Sequence, residues 1–472
     1  MKPTHILLAL AATLASISRA QPTTYTLEEA VETALANNRD VVGAKLEIQK
    51  AEAAVDEAFG YVWPSIDLSA NLSHFLKKPK MAFPNFEAML NNAVYQTLFQ
   101  EGVLPPDPTK FREMGTTLQS FAQADNYEAK VQATQILFNS TVFRGIGASE
   151  IYLRLSRVQL QSVAAKTVLN VEKAFYGALL LEETLEIVEE RLANAEENLE
   201  NVRAMHEQGL VSEFQMLQAE VRVENVRPKV FEVRNQLESA LDMLKLSMGV
   251  DQGDSISVVG EFAYEPEPTP DVDSLVAEAM NRNPDLETLD VKSQIDEAFI
   301  DVDRSEFWPS LSAFADYTFA GSGEDFEFSH YQSSMVGVAL QMNLFNGFRT
   351  LRKVEQSTVE LKKTKETAAQ AKQYVAAQVR AKVNELERTR TLVAAQNRNV
   401  ELAERAYALA VERFKEGTGT QLEVKNADVE LSEAKTNRLS SLHAHTTAKL
   451  ELRQLVGEWN AAYDPYLEVE NN

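Results

Sequence analysis

Phe59-Gly60-Tyr61-Val62-Trp63-Pro64-Ser65-Ile66 closes a helical pattern and opens an alternating one. The phrase returns 245 positions later as Ser305-Glu306-Phe307-Trp308-Pro309-Ser310-Leu311. A proline cannot continue a helix and biases the residue before it toward extended backbone. Each copy therefore marks a change from helix to strand. Behind the first copy, residues 27–37 and 40–60 read as helices, with Ala30, Val31, Ala34 and Leu35 on one face. Ahead of it, Ile66, Leu68, Ala70 and Leu72 alternate with Asp67, Ser69, Asn71 and Ser73. That is the period of a strand with one oily and one wet face.

Further landmarks are doubled in the same order. Asn38-Arg39-Asp40 matches Asn283-Pro284-Asp285 at the 245 offset, and Phe138-Asn139 matches Phe345-Asn346 at 207. Gly209 and Ser212 match Gly417 and Thr420 at 208, as Gly249 matches Gly457. The change of offset places extra residues in the first half, within the proline-rich stretch 74–126, where Phe86–Phe99 reads as a short helix. That stretch is an external lid or receptor surface, or a solvated loop without a specific role.

Three more alternating segments are expected to be strands. Tyr127, Ala129, Val131 and Ala133 share a face, as do Leu311, Ala313, Ala315, Tyr317 and Phe319. Val336, Val338, Leu340, Met342 and Leu344 form the last, and Gly321–Phe328 reads as a long polar loop. After each Phe-Asn comes a proline-free helical pattern, Phe143 to Glu207 and Phe348 to Glu416. At about 1.5 Å per residue, roughly 65 residues reach about 100 Å. Leu185, Val188, Leu192, Ala195, Leu199 and Val202 follow coiled-coil spacing, and a second seam runs through Leu392, Ala395, Leu402, Ala406 and Leu409. Each long helix ends at a glycine and returns as a shorter one, 212–248 or 420–456. These two are expected to stack end to end on the helices that lead into Trp-Pro. Residues 250–273, with Pro266, Pro268 and Pro270, and the tail 458–472 should form a mixed, non-helical belt with a short strand at Ser255–Val259.

Composition narrows the function. The formal charge is −24, so phosphate-based nucleic-acid binding is excluded. There is no cysteine, hence no disulfide and no thiolate chemistry. Met1-Lys2, the apolar run Ile6 to Ile17 and Ser18-Arg19-Ala20 read as an export signal, 1–20, that leaves Gln21 first on cleavage. Beyond it no apolar run of about 20 residues occurs, so a membrane crossing must use strands. Lipid cannot satisfy an open sheet edge, four strands cannot close, and about eight make the smallest filled barrel. Three copies give twelve strands and leave a lumen. No catalytic motif occurs, and the expectation is a non-enzyme without cofactor or metal. His443 and His445, two apart on a helix, point to different faces. The dispersed methionines read as packing.

This doubled order resembles the TolC family of outer-membrane efflux and type I secretion ducts over essentially the whole chain after the signal. The resemblance is carried by Trp63-Pro64, Trp308-Pro309, Phe138-Asn139, Phe345-Asn346 and the turns Gly209-Leu210-Val211-Ser212 and Gly417-Thr418-Gly419-Thr420. It implies an α+β membrane protein: a homotrimeric 12-stranded β-barrel, four strands per chain, continuous with a 12-helix periplasmic barrel and a small equatorial belt. The expected parts are N-terminal helices 21–62, barrel hairpin 63–140, helical hairpin 141–249, equatorial segment 250–282, tunnel helix 283–307, barrel hairpin 308–347, helical hairpin 348–457 and tail 458–472. The expected location is the bacterial outer membrane with a long periplasmic extension, and the expected partners are a periplasmic adaptor and an inner-membrane transporter. In the family the turns meet the adaptor, which assigns docking to Gly209, Leu210, Val211, Ser212, Gly417, Thr418, Gly419 and Thr420. The family also closes its periplasmic end with acidic rings after the second turn. Glu423 stands where one such acid is found. The next position is Asn426, a departure, and Asp428 is the nearest substitute. The competing expectation is a periplasmic coiled-coil adaptor or structural protein without a barrel, which would have no use for four oily strand faces.

Overall fold

The computed structural model describes residues 23–264 and 271–469. The 1–20 signal and Pro266, Pro268 and Pro270 lie outside the described residues. The chain divides into two units, one of residues 56–146 and 301–354, the other of the remainder.

The larger unit contains a short strand, β1 (Thr23–Tyr25), then α1 (Leu27–Asn37) and α2 (Arg39–Gly60), whose last residues belong to the smaller unit. In the smaller unit follow β2 (Ser65–His74), β3 (Met81–Pro84), α3 (Phe86–Gln100), β4 (Thr116–Gln119) and β5 (Asp125–Asn139). Then come the 68-residue α4 (Ser140–Glu207), α5 (Glu213–Met248), β6 (Ile256–Val258), α6 (Val272–Arg282) and α7 (Pro284–Ser305). The chain continues with β7 (Ser310–Glu324), β8 (Glu327–Gln341), the 67-residue α8 (Arg349–Lys415) and α9 (Gln421–Val456). The repeat holds element by element: α1 and α2 return as α6 and α7, and α4 and α5 as α8 and α9. Helix α6 occupies ten or so positions that the sequence reading gave to the belt.

In the larger unit the ends of short helices are joined by the same device twice. The Asn38 amide donates to the Ser247 carbonyl at 2.8 Å, and its side-chain oxygen accepts from the Asp40 N–H at 2.9 Å. Asn283 donates to the Leu455 carbonyl at 2.9 Å and accepts from Asp285 and Leu286 N–H at 3.0 and 3.1 Å. Each asparagine thus caps one helix and satisfies a terminal carbonyl of another. The expected end-to-end stacking is this pair of joints. Around the first joint lies the main core, where Val31, Leu35, Val171, Phe175, Leu244 and Met248 are fully or almost fully buried. The belt packs on it: β1 pairs parallel with β6, and Trp459 and Tyr466 of the tail lie against the same core. The tail is not free of helix as expected: it forms a 3-10 helix over Ala461–Leu467, opened by Asn460, whose side chain accepts from Ala462 N–H.

Of the two coiled-coil seams, the first buries Ala195, Leu199 and Val202. The second is placed differently. Leu392, Leu402 and Leu409 are exposed, while Val375, Val379, Val383 and Val393 of α8 are buried. Helix α8 carries apolar residues on more than one face, and periodicity does not say which face meets the rest of the chain.

The smaller unit is built on a four-stranded antiparallel sheet in the order β2-β5-β7-β8. Its register places Leu68, Val131 and Tyr317 in one row and Ala133, Ala315 and Val336 in another. The apolar sets of all four strands therefore share one face. The opposite face carries Asp67, Gln132 and Asp316 in one row and Ser69, Lys130, Thr318 and Ser333 in the next. Two expectations fail here. Strand β8 ends at Gln341, so Met342 and Leu344 are not in the sheet. Gly321–Phe328 is not a long loop, because β7 and β8 run to a tight turn whose Asp325 and Phe326 have φ of 50° and 63°. Phe326 holds that conformation because its N–H donates to Asp125 at 2.9 Å and its ring stacks on His74. Between β2 and β5, β3 pairs with β4, and α3 is tied to residues 110–112 by Asn91 and Asn92.

Candidate functional sites

Both helical turns are built alike. Gly209 and Gly417 have φ of +73° and +74°, which costs little only for glycine. Leu210 N–H bonds the Met205 carbonyl and Gly209 N–H that of His206; Thr418 and Gly417 repeat this with Arg413 and Phe414. Each turn thus closes its helix with a Schellman pair. The returning helices open with capping boxes. The Ser212 hydroxyl accepts from Gln215 N–H and the Gln215 side chain accepts from Ser212 N–H, as Thr420 and Glu423 do in α9. These bonds account for Ser212 and Thr420. Gly419 is packed against Arg413. Val211 is half-buried against the Ala195–Val223 cluster, whereas Leu210 remains 69% exposed, with Phe214 and Leu422 exposed beside the turns.

Between α5 and α9, close behind the turns, runs a groove of about 790 Å³. Its apolar lining includes Phe214, Leu217, Val221 and Leu422, and its charges include Arg222 and Lys425. An amphipathic helix with an acidic flank suits such a groove. Sequence reasoning named the turns but not this groove, because it needs residues about 200 positions apart. The exposed Phe214 and Leu217, one helical turn apart, were the signal available.

The two acidic gate candidates differ. Glu423 is exposed at the first turn of α9, and its carboxylate accepts from Thr420 N–H at 2.9 Å. Asp428 is 3% exposed and does not present a free carboxylate. Its Oδ2 accepts from Arg222 Nη2 at 2.5 Å, and Arg191 Nε lies 3.5 Å away. Asp428 therefore does not belong to an open acidic ring in this conformation, since a buried carboxylate is held by its counter-ions. Burial pushes the neighbouring Tyr407 phenol above its usual range, with the Asp428 charge adding to the shift and Arg222 opposing it. Arg191, Arg222, Tyr407 and Asp428 come from α4, α5, α8 and α9, so one cluster gathers all four long and returning helices.

The strand-helix joins are also repeated. Trp63 N–H bonds the Gly60 carbonyl and Trp308 N–H that of Ser305, ahead of Pro64 and Pro309. Both indoles are largely exposed, at 76% and 65%. Asn139 caps α4 by accepting from Thr141 and Val142 N–H. Asn346 acts otherwise, donating to the Thr350 hydroxyl at 2.6 Å. Here Gly347 and Phe348 turn left-handed before α8 starts. Phe138 packs near Phe143, and Phe345 meets Phe348 edge to ring. Among the described residues no group of His, Asp or Glu has metal-site geometry.

A family model described as outer membrane efflux protein matches residues 112–250 and 275–458. The chain is 21% identical over 336 residues to the alkaline protease secretion protein AprF of Pseudomonas aeruginosa, covering 71% of this chain and 70% of that one. It is 21% identical over 343 residues to the outer membrane protein TolC of Vibrio cholerae, covering 72% and 78%. Among solved structures, the CmeC outer membrane channel of Campylobacter jejuni superposes with a TM-score of 0.70 at 15% identity, over 94% of this chain and 90% of that one.

Proposed function

The chain belongs to the outer membrane efflux protein family, and from that footing we propose how its parts share the work of a duct. It is an outer-membrane export duct for efflux or type I secretion, a homotrimer that works with a periplasmic adaptor and an inner-membrane pump. Three four-stranded sheets make a twelve-stranded barrel, with the Leu68–Val131–Tyr317 face toward lipid and the Asp67–Lys130–Asp316 face toward the lumen. Four α-helical spans per chain, with α1/α5 and α6/α9 joined to α2 and α7 by Asn38 and Asn283, supply the tunnel. The single observation behind this division is a sheet with one continuous oily face and two unpaired edges in the same chain as two helices of more than 65 residues.

The chain itself carries no enzyme chemistry in this reading; cargo moves passively and the pump supplies energy. Leu210, Phe214 and the groove toward Leu422 receive the adaptor, with Gly209, Val211, Ser212 and Gly417 to Thr420 holding the turns in shape. Three Glu423 carboxylates narrow the periplasmic entrance and attract cations. The Asp428–Arg222 pair holds the two helical hairpins together there. Trp63, Trp308 and Phe345 anchor the periplasmic rim of the barrel at the membrane interface.

Protein extracted from outer membranes in detergent should run as a heat-dissociable trimer and form cation-preferring pores in planar lipid bilayers. A monomer that stays soluble without detergent and conducts nothing would overturn the duct.

A further inference from the structure

We infer that the insertion between β2 and β5 clasps the neighbouring copy of this chain at the outer rim of the barrel. Strands β2 and β8 are the two edges of the sheet. Closing the trimer sets β2 of one copy beside β8 of the next, because an open edge in lipid is not tolerated. The strand directions decide what meets what. His74, Asp125, Gly323 and Phe328 lie in one row, so the end of β2 and the start of β8 stand at the same rim. The chain that leaves β2 therefore emerges beside the first residues of the neighbour's β8, while its own turn is held to it through Lys78–Glu324 and the His74–Phe326 stack.

The charges across that seam are complementary. Lys77 and Lys80 follow β2 within six residues, a reach of up to about 20 Å. Both are exposed. Asp325 and Glu327 of the turn are also exposed. Among the described residues none of these four has an ion pair within its own chain, whereas Lys78 is already taken by Glu324. Two unpaired cations on one side of the seam and two unpaired carboxylates on the other are what a contact between copies would use.

Helix α3 supplies a second contact. Its Asn91 and Asn92 are bonded to the Lys110 and Arg112 backbone, which fixes the face it keeps for its own chain. The face left exposed carries Phe86, Met89, Leu90 and Val94, at the spacing of one helical stripe. Glu87 is the one charge in the helix. An apolar stripe on an insertion that leaves an edge strand fits a second copy, which a closed trimer supplies threefold without a further partner.

The chain has no cysteine, so a clean test is available in the full trimer purified from outer membranes. Lys80→Cys with Glu327→Cys, oxidised and then heated without reductant, should give covalent dimers and trimers, and each single variant should give monomer. A disulfide that forms but leaves only monomer after heating lies within one chain and overturns the clasp; where no disulfide forms, the charge exchange decides. Because a cysteine pair can miss by geometry, a charge exchange forms the second arm. Lys77→Glu with Lys80→Glu should lower the temperature at which the trimer dissociates by a few degrees, and adding Asp325→Lys with Glu327→Lys should restore it. A loss without restoration counts against the proposal. A photoreactive phenylalanine at Leu90 should link protein to protein; capture of lipid alone would assign the stripe to the membrane instead. Bilayer conductance, measured in parallel, reports the duct independently, so an intact pore without a clasp is distinguishable from a chain that makes no pore.

Discussion

Arg222 and Asp428 are 206 positions apart in sequence and 2.5 Å apart in space, the guanidinium donating to a carboxylate that is almost completely buried. One belongs to α5 and the other to α9, so this bond ties the first helical hairpin to the second near the turns. Removing one partner of a buried ion pair leaves the other uncompensated, at a cost of about 3–5 kcal/mol. Asp428→Ala should therefore lower the thermal midpoint and raise single-channel conductance by loosening the entrance. Arg222→Leu with Asp428→Leu should recover much of the stability but not the low conductance. Calorimetry and bilayer recording check the two halves separately.

Glu423 has a capping role and a proposed gate role that one substitution would confuse. Its carboxylate completes the Thr420 capping box, and in the proposed duct it would also charge the entrance. Glu423→Gln keeps a side-chain acceptor for Thr420 N–H and removes the charge. It should leave the thermal midpoint nearly unchanged while weakening block by multivalent cations. Glu423→Ala should weaken block equally and lose about 0.5–2 kcal/mol of helix stability as well. Equal cation block in wild type and Glu423→Gln would remove the gate role.

Burial raises the Glu172 carboxyl above its usual range, the Arg453 guanidinium 3.8 Å away opposing the shift and the Glu458 charge adding to it. A carboxyl whose folded pKa is raised destabilises the folded state when ionised. The penalty is absent below the unfolded pKa and complete above the folded one. Glu172→Gln should thus raise the thermal midpoint at pH 7.5 and give little gain at pH 4. Melting curves at both values test the sign.

The two faces of the sheet should respond oppositely to charge. Leu68 lies in mid-strand on the oily face and Ser69 on the other. Leu68→Arg should cost about 2–4 kcal/mol of folding into lipid vesicles, the range for a cation near the bilayer midplane. Ser69→Arg should fold normally and reduce cation preference. Reversal of that order would invert the assignment of lumen and lipid.

Most of the architecture was legible because its signals are local and repeated. The alternation in Ile66–Leu72 and Leu311–Phe319 needs only neighbours two apart, and the register places both sets on one face. The turns were legible for the same reason, since glycine followed by Ser212 or Thr420 is a helix stop followed by a helix start within four residues. The tight turn at Asp325-Phe326 was not. It lacks the Asn-Gly type signal, and its left-handed phenylalanine depends on His74 and Asp125, about 250 and 200 residues earlier. Strand β1 is three residues long and exists through its pairing with β6.

What the amino-acid sequence determined alone is the doubled plan: where helices stop, where strands alternate, and that four strands cannot serve one copy. These follow from backbone restriction and hydrophobic period, which act over a few residues. Tertiary structure decided which face of α8 is buried, that Asp428 is locked by Arg222 and not free, and which stripe of α3 stays exposed. Each of those depends on which distant side chain arrives within a few ångströms, and short-range periodicity carries no record of that.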